Sequence, residues 1–155
     1  MMSKTPGDEV RCQIARTLDV VGEKWSLLIV RNALRGQTRF SEFRDQLGIP
    51  TDILTARLAT LVAGGILEKR SYRDAGSRER ASYHLTEAGH ALNLVIAAMV
   101  QWGDEYNPSP YGAASIVIDA ESREPLELEF VGADRSPVSG NDVAFLPGPA
   151  STDTW

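Results

Sequence analysis

The sequence predicts an α+β fold, mainly α, in which a winged helix-turn-helix domain is followed by a long helix and a small β appendage. Three observations support this prediction. Apolar residues recur at helical spacing in four successive segments between Ile14 and Val62. Two strand-like runs, at 67–73 and 80–85, then flank a polar turn. A further apolar stripe at helical spacing follows Thr86, and short runs with a period of two come after residue 112.

Length and composition are typical of one globular domain with a small appendage. The chain has 155 residues, of which 43% are hydrophobic and 24% are charged. Its longest uninterrupted apolar run, at 94–100, is far shorter than the ~20 residues of a membrane-spanning helix, and no apolar N-terminal segment indicates a secretion signal. Cys12 is the single cysteine, which excludes an internal disulfide framework. We therefore expect a cytoplasmic protein without membrane contact.

The first two helices are predicted to follow a polar segment, residues 1–10, which we expect to be a flexible arm. Ile14, Leu18 and Val21 recur at i, i+4 and i+7 and predict a first helix that ends at Gly22. A second helix is predicted from about residue 23 to residue 34, because Trp25 and the two apolar residues at 28 and 29 share one face.

A helix-turn-helix pattern comes next. Phe40, Phe43 and Leu47 lie on one face of a short third helix, which Gly48 breaks. A fourth helix is predicted over 51–63 and ends at two glycines; its core-facing residues are Leu54, Leu58, Leu61 and Val62. Together with the hairpin, this layout is typical of a winged helix, a shape suited to reading DNA.

A long last helix is predicted after the hairpin. Thr86 is a suitable N-cap, and Glu87 lies in the first turn, where a negative charge is favourable. Few core elements remain at this point of the chain, so we expect the apolar stripe of this helix to be buried against a second copy of the chain. The residues of this predicted dimer interface are Leu92, Val95, Ile96, Met99, Trp102 and Tyr106.

Composition places the remaining boundaries. The winged domain and the last helix are predicted to span residues 11–106, a linker 107–112, a small β-rich extension 113–146 and a disordered tail 147–155. Strand-like runs in the extension lie at 115–118 and 126–131, with a third strand expected at 143–146. A faint repeat with an offset of 12 relates the segments that begin at Arg123 and Arg135.

The net charge of −5 is distributed unevenly along the chain. Residues 11–80 contain 13 Lys and Arg against 8 Asp and Glu, a balance of +5, whereas residues 81–155 contain 2 against 11, a balance of −9. The positive half is the half with the helix-turn-helix pattern. Because DNA phosphates respond to local charge, the acidic total does not exclude a nucleic-acid partner.

The face of the fourth helix opposite its apolar stripe is a candidate base-reading surface. Arg57 could grip guanine, Thr55 could bond a base or a phosphate, and Ala56 could contact a thymine methyl group. Asp52 could accept a hydrogen bond from cytosine, but we expect Asp52 or Thr51 chiefly to cap the helix. A plain solvated helix face is the alternative interpretation of this pattern.

Five cations crowd the hairpin, and we predict phosphate contacts from them. The main candidates are Lys69, Arg78 and Arg80, and an arginine at the hairpin tip could enter the minor groove. Arg39, just before the third helix, is a further candidate. The alternative is an edge strand kept charged against aggregation, which explains one or two cations better than five.

Several linked motifs resemble those of HxlR-type transcriptional regulators, within the wider MarR-like winged-helix group. They are CQIAR at 12–16, GEKWSLLI at 22–29, RFSEF at 39–43, LTARL at 54–58 and YHLTEAG at 83–89. The resemblance implies a homodimeric bacterial DNA-binding regulator whose terminal helices build the dimer. It also implies that the C-terminal part is an extension that in places resembles a zinc ribbon. Both candidate knuckles lack cysteine, so we expect no metal there.

Three residues depart from the pattern of that family. Gln13 stands where proline usually follows the cysteine, and Pro50 stands where a capping serine is expected. Ala56 occupies a position often held by glutamine, which removes an amide that could read adenine. The operator preference of relatives therefore does not transfer to this chain.

Cys12 is a candidate redox sensor, because some relatives use a cysteine at this N-terminal position and because thiolate chemistry is favoured by nearby arginines or a helix N-terminus. The alternative is a small buried hydrophobic residue in the first helix. His84 and His90 are the only histidines, and no cysteine or carboxylate cluster accompanies them. No nucleophile or phosphate-binding motif is present either. We expect no enzyme activity, no metal and no cofactor.

The prediction is a sequence-specific transcriptional regulator, a homodimeric repressor released by a small-molecule inducer or an oxidant. The expected partner is double-stranded DNA, and the two-fold symmetry of the dimer predicts an inverted-repeat operator whose half-sites lie ~34 Å apart. Two alternatives stay open: a winged-helix protein-interaction module without DNA binding, and a small-molecule sensor that uses the C-terminal extension.

Overall fold

The computed structural model describes residues 12–76 and 78–149. Its elements are α1 (Gln13–Val21), α2 (Lys24–Leu34), α3 (Phe40–Leu47), α4 (Thr51–Ala63), β1 (Leu67–Tyr72), β2 (Arg80–Leu85), α5 (Glu87–Ala91), α6 (Asn93–Tyr106), β3 (Phe130–Val131), β4 (Pro137–Val138) and a short 3₁₀ helix (Gly140–Asp142). The mainly helical winged fold is thus confirmed. The arm predicted at 1–10 and residues 150–155 of the predicted tail lie outside the described residues.

The chain forms two compact units that divide after Leu92. The first unit contains α1 to α5 and the β1–β2 hairpin, and the second, Asn93–Pro147, contains α6 and the extension. No helix of residues 12–76 and 78–149 is long and apolar enough to cross a bilayer.

The core of the first unit forms where α2, α3 and α4 bury their apolar faces. Its fully buried side chains include Ile29, Phe43, Leu54, Leu58 and Leu61, which share the helical spacing expected from the sequence. Gly48 ends α3 with a φ of 61°, a left-handed conformation that favours glycine. These contacts fix α3 and α4 as a helix-turn-helix pair.

The hairpin is a regular antiparallel pair to which a third segment is added. Leu67 pairs with Leu85 at its base and Tyr72 with Arg80 at its far end. Arg39 forms a bridge with Ser82, and the Tyr83 N–H donates to the Thr38 carbonyl at 2.7 Å. The segment that enters α3 is therefore held on β2, which connects the hairpin to the helix-turn-helix.

The prediction of one long last helix is wrong in one respect, because the helix is divided at Leu92 into α5 and α6. The N-cap is confirmed: the Thr86 hydroxyl accepts a hydrogen bond from the Gly89 N–H at 3.1 Å. At the break the Leu92 N–H bonds the Gly89 carbonyl, three residues back, and the Leu92 side chain is buried. The tighter turn interrupts the α-helical hydrogen-bond pattern.

The strands expected in the extension are mostly reduced to short contacts. The run at 115–118 contributes a single bridge between Ile118 and Pro125, and the run at 126–131 forms strand only at β3. The expected strand at 143–146 is wrong, since Phe145 and Leu146 are exposed and lie outside any strand. The faint repeat is visible as two similar turns, because Arg123 and Arg135 both have positive φ and each is followed two residues later by a paired proline.

Candidate nucleic-acid interface

The outer face of α4 is exposed along its length. Thr51, Asp52, Thr55 and Ala56 are all exposed, together with Ala59, while the opposite face is buried in the core. This arrangement follows from the 3.6-residue period of the apolar stripe. The structure therefore brings four of the five predicted base-reading residues of α4 to one surface.

The polar groups on this face are few, and they are partly engaged. The Thr55 hydroxyl donates to the Thr51 carbonyl at 2.8 Å, so only its lone pairs remain for a ligand. The predicted capping by Thr51 or Asp52 is wrong, because Pro50 is the N-cap of α4 and no side-chain hydrogen bond caps this helix. Pro50 suits this place because its missing N–H would have no partner there. Asp52 is consequently free of the capping role.

Arg57 occupies a different position from the other predicted reading residues. Its side chain is half-buried at the flank of α4, and its Nη1 lies 3.9 Å from Glu23 Oε1 at the start of α2. The long guanidinium arm is thus directed toward α2 by an ion pair that a base or a phosphate would have to replace.

Arg39 is the most constrained cation of this surface. Its guanidinium lies 3.3 Å from an Asp74 carboxylate oxygen and 4.6 Å from the centre of the Tyr72 ring. Both partners belong to the hairpin region, so an ion pair and a cation–π contact hold Arg39 beside it. Tyr72 and Asp74 were missed in the sequence, where only the Asp-Ala-Gly turn at 74–76 gave a signal, and that signal pointed to turn geometry.

The entry to α3 is fixed by a carboxylate. Glu42 accepts hydrogen bonds from the N–H groups of Arg39 and Thr38, both at 2.8 Å. These two backbone bonds lower the pKa of Glu42, with a smaller contribution from the Arg39 charge. The ionised Glu42 therefore stabilises the segment that carries Arg39.

The hairpin presents most of its cations to solvent. The side chains of Lys69, Arg73, Arg78 and Arg80 are exposed. Arg70 is also exposed, but it forms an ion pair with Glu68 two residues earlier on the same face of β1. The predicted phosphate contacts Lys69, Arg78 and Arg80 thus lie on one hairpin, beside the surface that includes Arg39.

The residues predicted for a dimer interface divide into two groups. Leu92 is buried within the first unit and Ile96 is half-buried, whereas Val95, Met99, Trp102 and Tyr106 are exposed on α6. The exposed fractions of Met99, Trp102 and Tyr106 are 52%, 61% and 65%. Leu94, also exposed, was not predicted. An apolar face of this kind on a helix is typical of a surface that a partner covers.

Cys12 is an exposed free thiol at the N-cap of α1. The alternative interpretation as a buried hydrophobic residue is therefore wrong for this cysteine. Among residues 12–76 and 78–149, no three His, Cys, Asp or Glu side chains are placed to hold a metal ion.

A model of the HxlR-like helix-turn-helix family matches residues 20–111, more than half of the chain. An uncharacterised HTH-type transcriptional regulator of Mycobacterium tuberculosis strain H37Rv is 44% identical over 99 residues, which are 64% of this chain and 61% of the relative. The chain thus spans about three fifths of the length of that relative.

Two solved structures extend the comparison. The crystal structure of PA1607, described as a candidate transcription factor, is 36% identical with a TM-score of 0.77 and covers 93% of this chain and 100% of that chain. The redox regulator HypR in its oxidised form is 32% identical with a TM-score of 0.56 and covers 63% of this chain and 100% of that chain. The extension beyond residue 111 therefore lies outside the family model, whereas the match to PA1607 includes most of it.

Proposed function

Because the chain belongs to the HxlR-like helix-turn-helix family, we propose that it is a sequence-specific DNA-binding regulator that represses transcription as a homodimer. One observation supports this most strongly: the exposed outer face of α4 lies in the same unit as a hairpin with four exposed cations and the paired Arg70. α4 enters the major groove, and the hairpin contacts the flanking phosphates.

Base contacts come from the exposed face of α4. Ala56 and Ala59 are small enough to let the helix approach the base edges, and their methyl groups pack against thymine methyls. Thr51 and Thr55 supply acceptor lone pairs, and Asp52 accepts from the cytosine amino group. Arg57 joins them when its ion pair with Glu23 opens.

Phosphate contacts come from Arg39 and the hairpin. Each phosphate that a cation neutralises contributes about 0.9 to the slope of log K against log salt. Selection of bound fragments from the source genome, followed by fluorescence anisotropy over a salt series, tests the proposal. We expect Lys69→Ala to flatten the slope by about 0.9 while the preferred sequence is retained. Absence of binding to any fragment at low salt would favour a protein-interaction module instead.

Dimerisation through α6 gives the regulator two recognition helices and an inverted-repeat operator. The exposed Met99 lies centrally in the apolar face of α6. A lysine substituted at this position would be desolvated and unpaired in the dimer interface, which is unfavourable. We expect Met99→Lys to shift the mass measured by light scattering from dimer to monomer. Asn93→Lys, an equal charge change on the opposite face of α6, is the matched control and should leave the dimer intact.

The release signal proposed first is oxidation at Cys12. Its exposure at the start of α1 and the similarity to a redox regulator support this proposal. Two thiols from two protomers form one disulfide, giving up two electrons to the oxidant and releasing two protons. Diamide should then lower operator affinity in the wild type but not in Cys12→Ser. Equal affinity before and after oxidation would refute the redox signal and leave a small-molecule inducer.

A further inference from the structure

We propose that the second unit contains a binding site for an aromatic organic cation, formed between α6 and the segment that leads into β3. A cavity of about 420 Å³ lies here, a size suited to a compact ligand. Its lining combines aromatic side chains and carboxylates with three other residues: Trp102, Tyr106, Phe130, Glu105, Glu129, Ala98, Gln101 and Leu128.

The aromatic wall of this cavity is built along α6. Trp102 and Tyr106 are one helical turn apart, with ring centroids 5.7 Å from each other and planes inclined at 38°. Phe130, which is also exposed, contributes a third ring to the lining. Faces of aromatic rings attract cations through their quadrupoles, and several rings around one site are the common way to bind a quaternary ammonium group.

Gln101 holds the second wall in place. Its amide accepts a hydrogen bond from the Leu128 N–H at 2.8 Å and donates to the Leu128 carbonyl at 2.9 Å. The Gln101 side chain thereby satisfies both backbone groups of Leu128, as a neighbouring strand would do in a sheet. Glu129 and Phe130 follow directly in the chain, so the two bonds to Leu128 keep them at the cavity.

The charge around the cavity selects for a cation. Residues 93–147 contain nine carboxylates against the two arginines Arg123 and Arg135, a formal charge of −7. Neither arginine lines the cavity, whereas Glu105 and Glu129 both do. A cation is attracted by the unit as a whole and by both carboxylates locally, while an anion of the same shape is repelled.

The regulatory consequence rests on the proposed function, but the binding itself does not. Trp102 and Tyr106 belong both to the cavity lining and to the proposed dimer face of α6. A ligand in the cavity competes for the side-chain positions that the dimer needs, and so changes the spacing of the two recognition helices. The ligand would then act as the inducer.

Calorimetry with the full chain tests binding without DNA, using tetraphenylphosphonium as the cation and tetraphenylborate as an anion of matched size. We expect one cation bound per chain with a Kd on the order of 10–100 µM and binding of the anion at least about tenfold weaker. Equal binding of both ions would mean a merely apolar patch and would overturn the proposal, as would the absence of cation binding.

Three isosteric variants locate the site. Glu105→Gln and Glu129→Gln should each weaken cation binding by about threefold to tenfold, while Glu121→Gln, the same charge loss in the same unit but outside the cavity, should change it little. A similar loss in all three would assign the effect to the general field and overturn the site. Because the cation and a second copy compete for Trp102 and Tyr106, cation binding should weaken as protein concentration favours the dimer. An affinity that does not change with protein concentration would refute this competition. Thermal melting of each variant verifies folding.

Discussion

Asp74→Asn should tighten DNA binding, because Asp74 competes with phosphate for Arg39. In the free protein Arg39 is paired with Asp74 at 3.3 Å, with side chains that are 44% and 50% exposed. An exposed pair of this kind is worth about 0.2–1 kcal/mol. If Arg39 must break this ion pair to reach a phosphate, binding to DNA costs that free energy in the wild type but not in Asp74→Asn. The affinity of Asp74→Asn for DNA should therefore be about 1.4-fold to fivefold higher.

The assay is fluorescence anisotropy with a selected operator fragment over a salt series. Asp45→Asn is the matched control, since Asp45 pairs with Arg44 at 2.8 Å and its loss changes the net charge by the same amount. Asp74→Asn should tighten binding more than the control does. In an Arg39→Gln background the two substitutions should have equal effects, because no guanidinium is left to be released.

Two results would refute this reasoning. Equal effects of Asp74→Asn and Asp45→Asn with Arg39 present would mean that Arg39 does not contact phosphate. Weaker binding by Asp74→Asn would mean that the ion pair holds Arg39 in its binding position, so that the stacking of the guanidinium on Tyr72 at 4.6 Å is insufficient to place it.

Three further predictions concern stability and base preference. Gly89→Ala should lower the free energy of unfolding in urea by about 1–3 kcal/mol, because the new Cβ would lie 2.2 Å from a backbone carbonyl oxygen. At Gly103 a new Cβ would meet no neighbouring segment within 4 Å, so Gly103→Ala should instead raise this free energy by about 0.5–1 kcal/mol. Equal losses in the two variants would contradict the packing argument. The backbone hydrogen bonds of Glu42 hold its pKa below the ordinary value of 4.5. The stability that ionised Glu42 contributes is therefore complete above pH 4.5 and is lost as the pH falls through the lowered pKa. The difference in unfolding free energy between wild type and Glu42→Gln should shrink as the pH falls through this range, and a constant difference would exclude the linkage. Ala56→Gln adds an amide to the exposed face of α4, so repeated fragment selection should favour adenine at one base pair by about 1–3 kcal/mol; an unchanged selected sequence would show that this face does not read bases.

The helix-turn-helix was predictable because local signals and core packing agree in it. α4 begins and ends where the apolar period and the glycines placed it, and Gly48 has the positive φ that a tight turn requires. The division at Leu92 was not predictable from periodicity, since the same stripe continues on both sides of it. The division depends on the burial of Leu92 and on the close approach of Gly89 to the carbonyl of Ile66. Both are tertiary contacts, which a local sequence pattern does not contain.

The extension was less predictable for a related reason. Alternating apolar residues indicate strands only when a neighbouring strand is available to pair with them. Here the run at 126–131 is held by the side chain of Gln101, and only its last two residues form a strand. The partner of Leu128 is therefore a helix residue 27 positions earlier, which no local pattern of the extension reveals.

The sparse face of α4 has a consequence for how an operator is distinguished from other DNA. A bidentate base contact contributes about 1–3 kcal/mol of discrimination, whereas specific binding exceeds non-specific binding by about 4–10 kcal/mol. Between Thr51 and Ala59 the exposed residues offer two hydroxyls and one carboxylate, and the Thr55 hydroxyl already donates its hydrogen to the Thr51 carbonyl. Arg57 adds one further base contact when its ion pair with Glu23 opens, and we expect the rest of the discrimination to come from the shape and deformability of the DNA. Arg78 and Arg80 are exposed on the hairpin and suited to a narrow minor groove, so replacing A·T by G·C pairs in the operator flanks should weaken binding in the wild type and have little effect in Arg78→Ala.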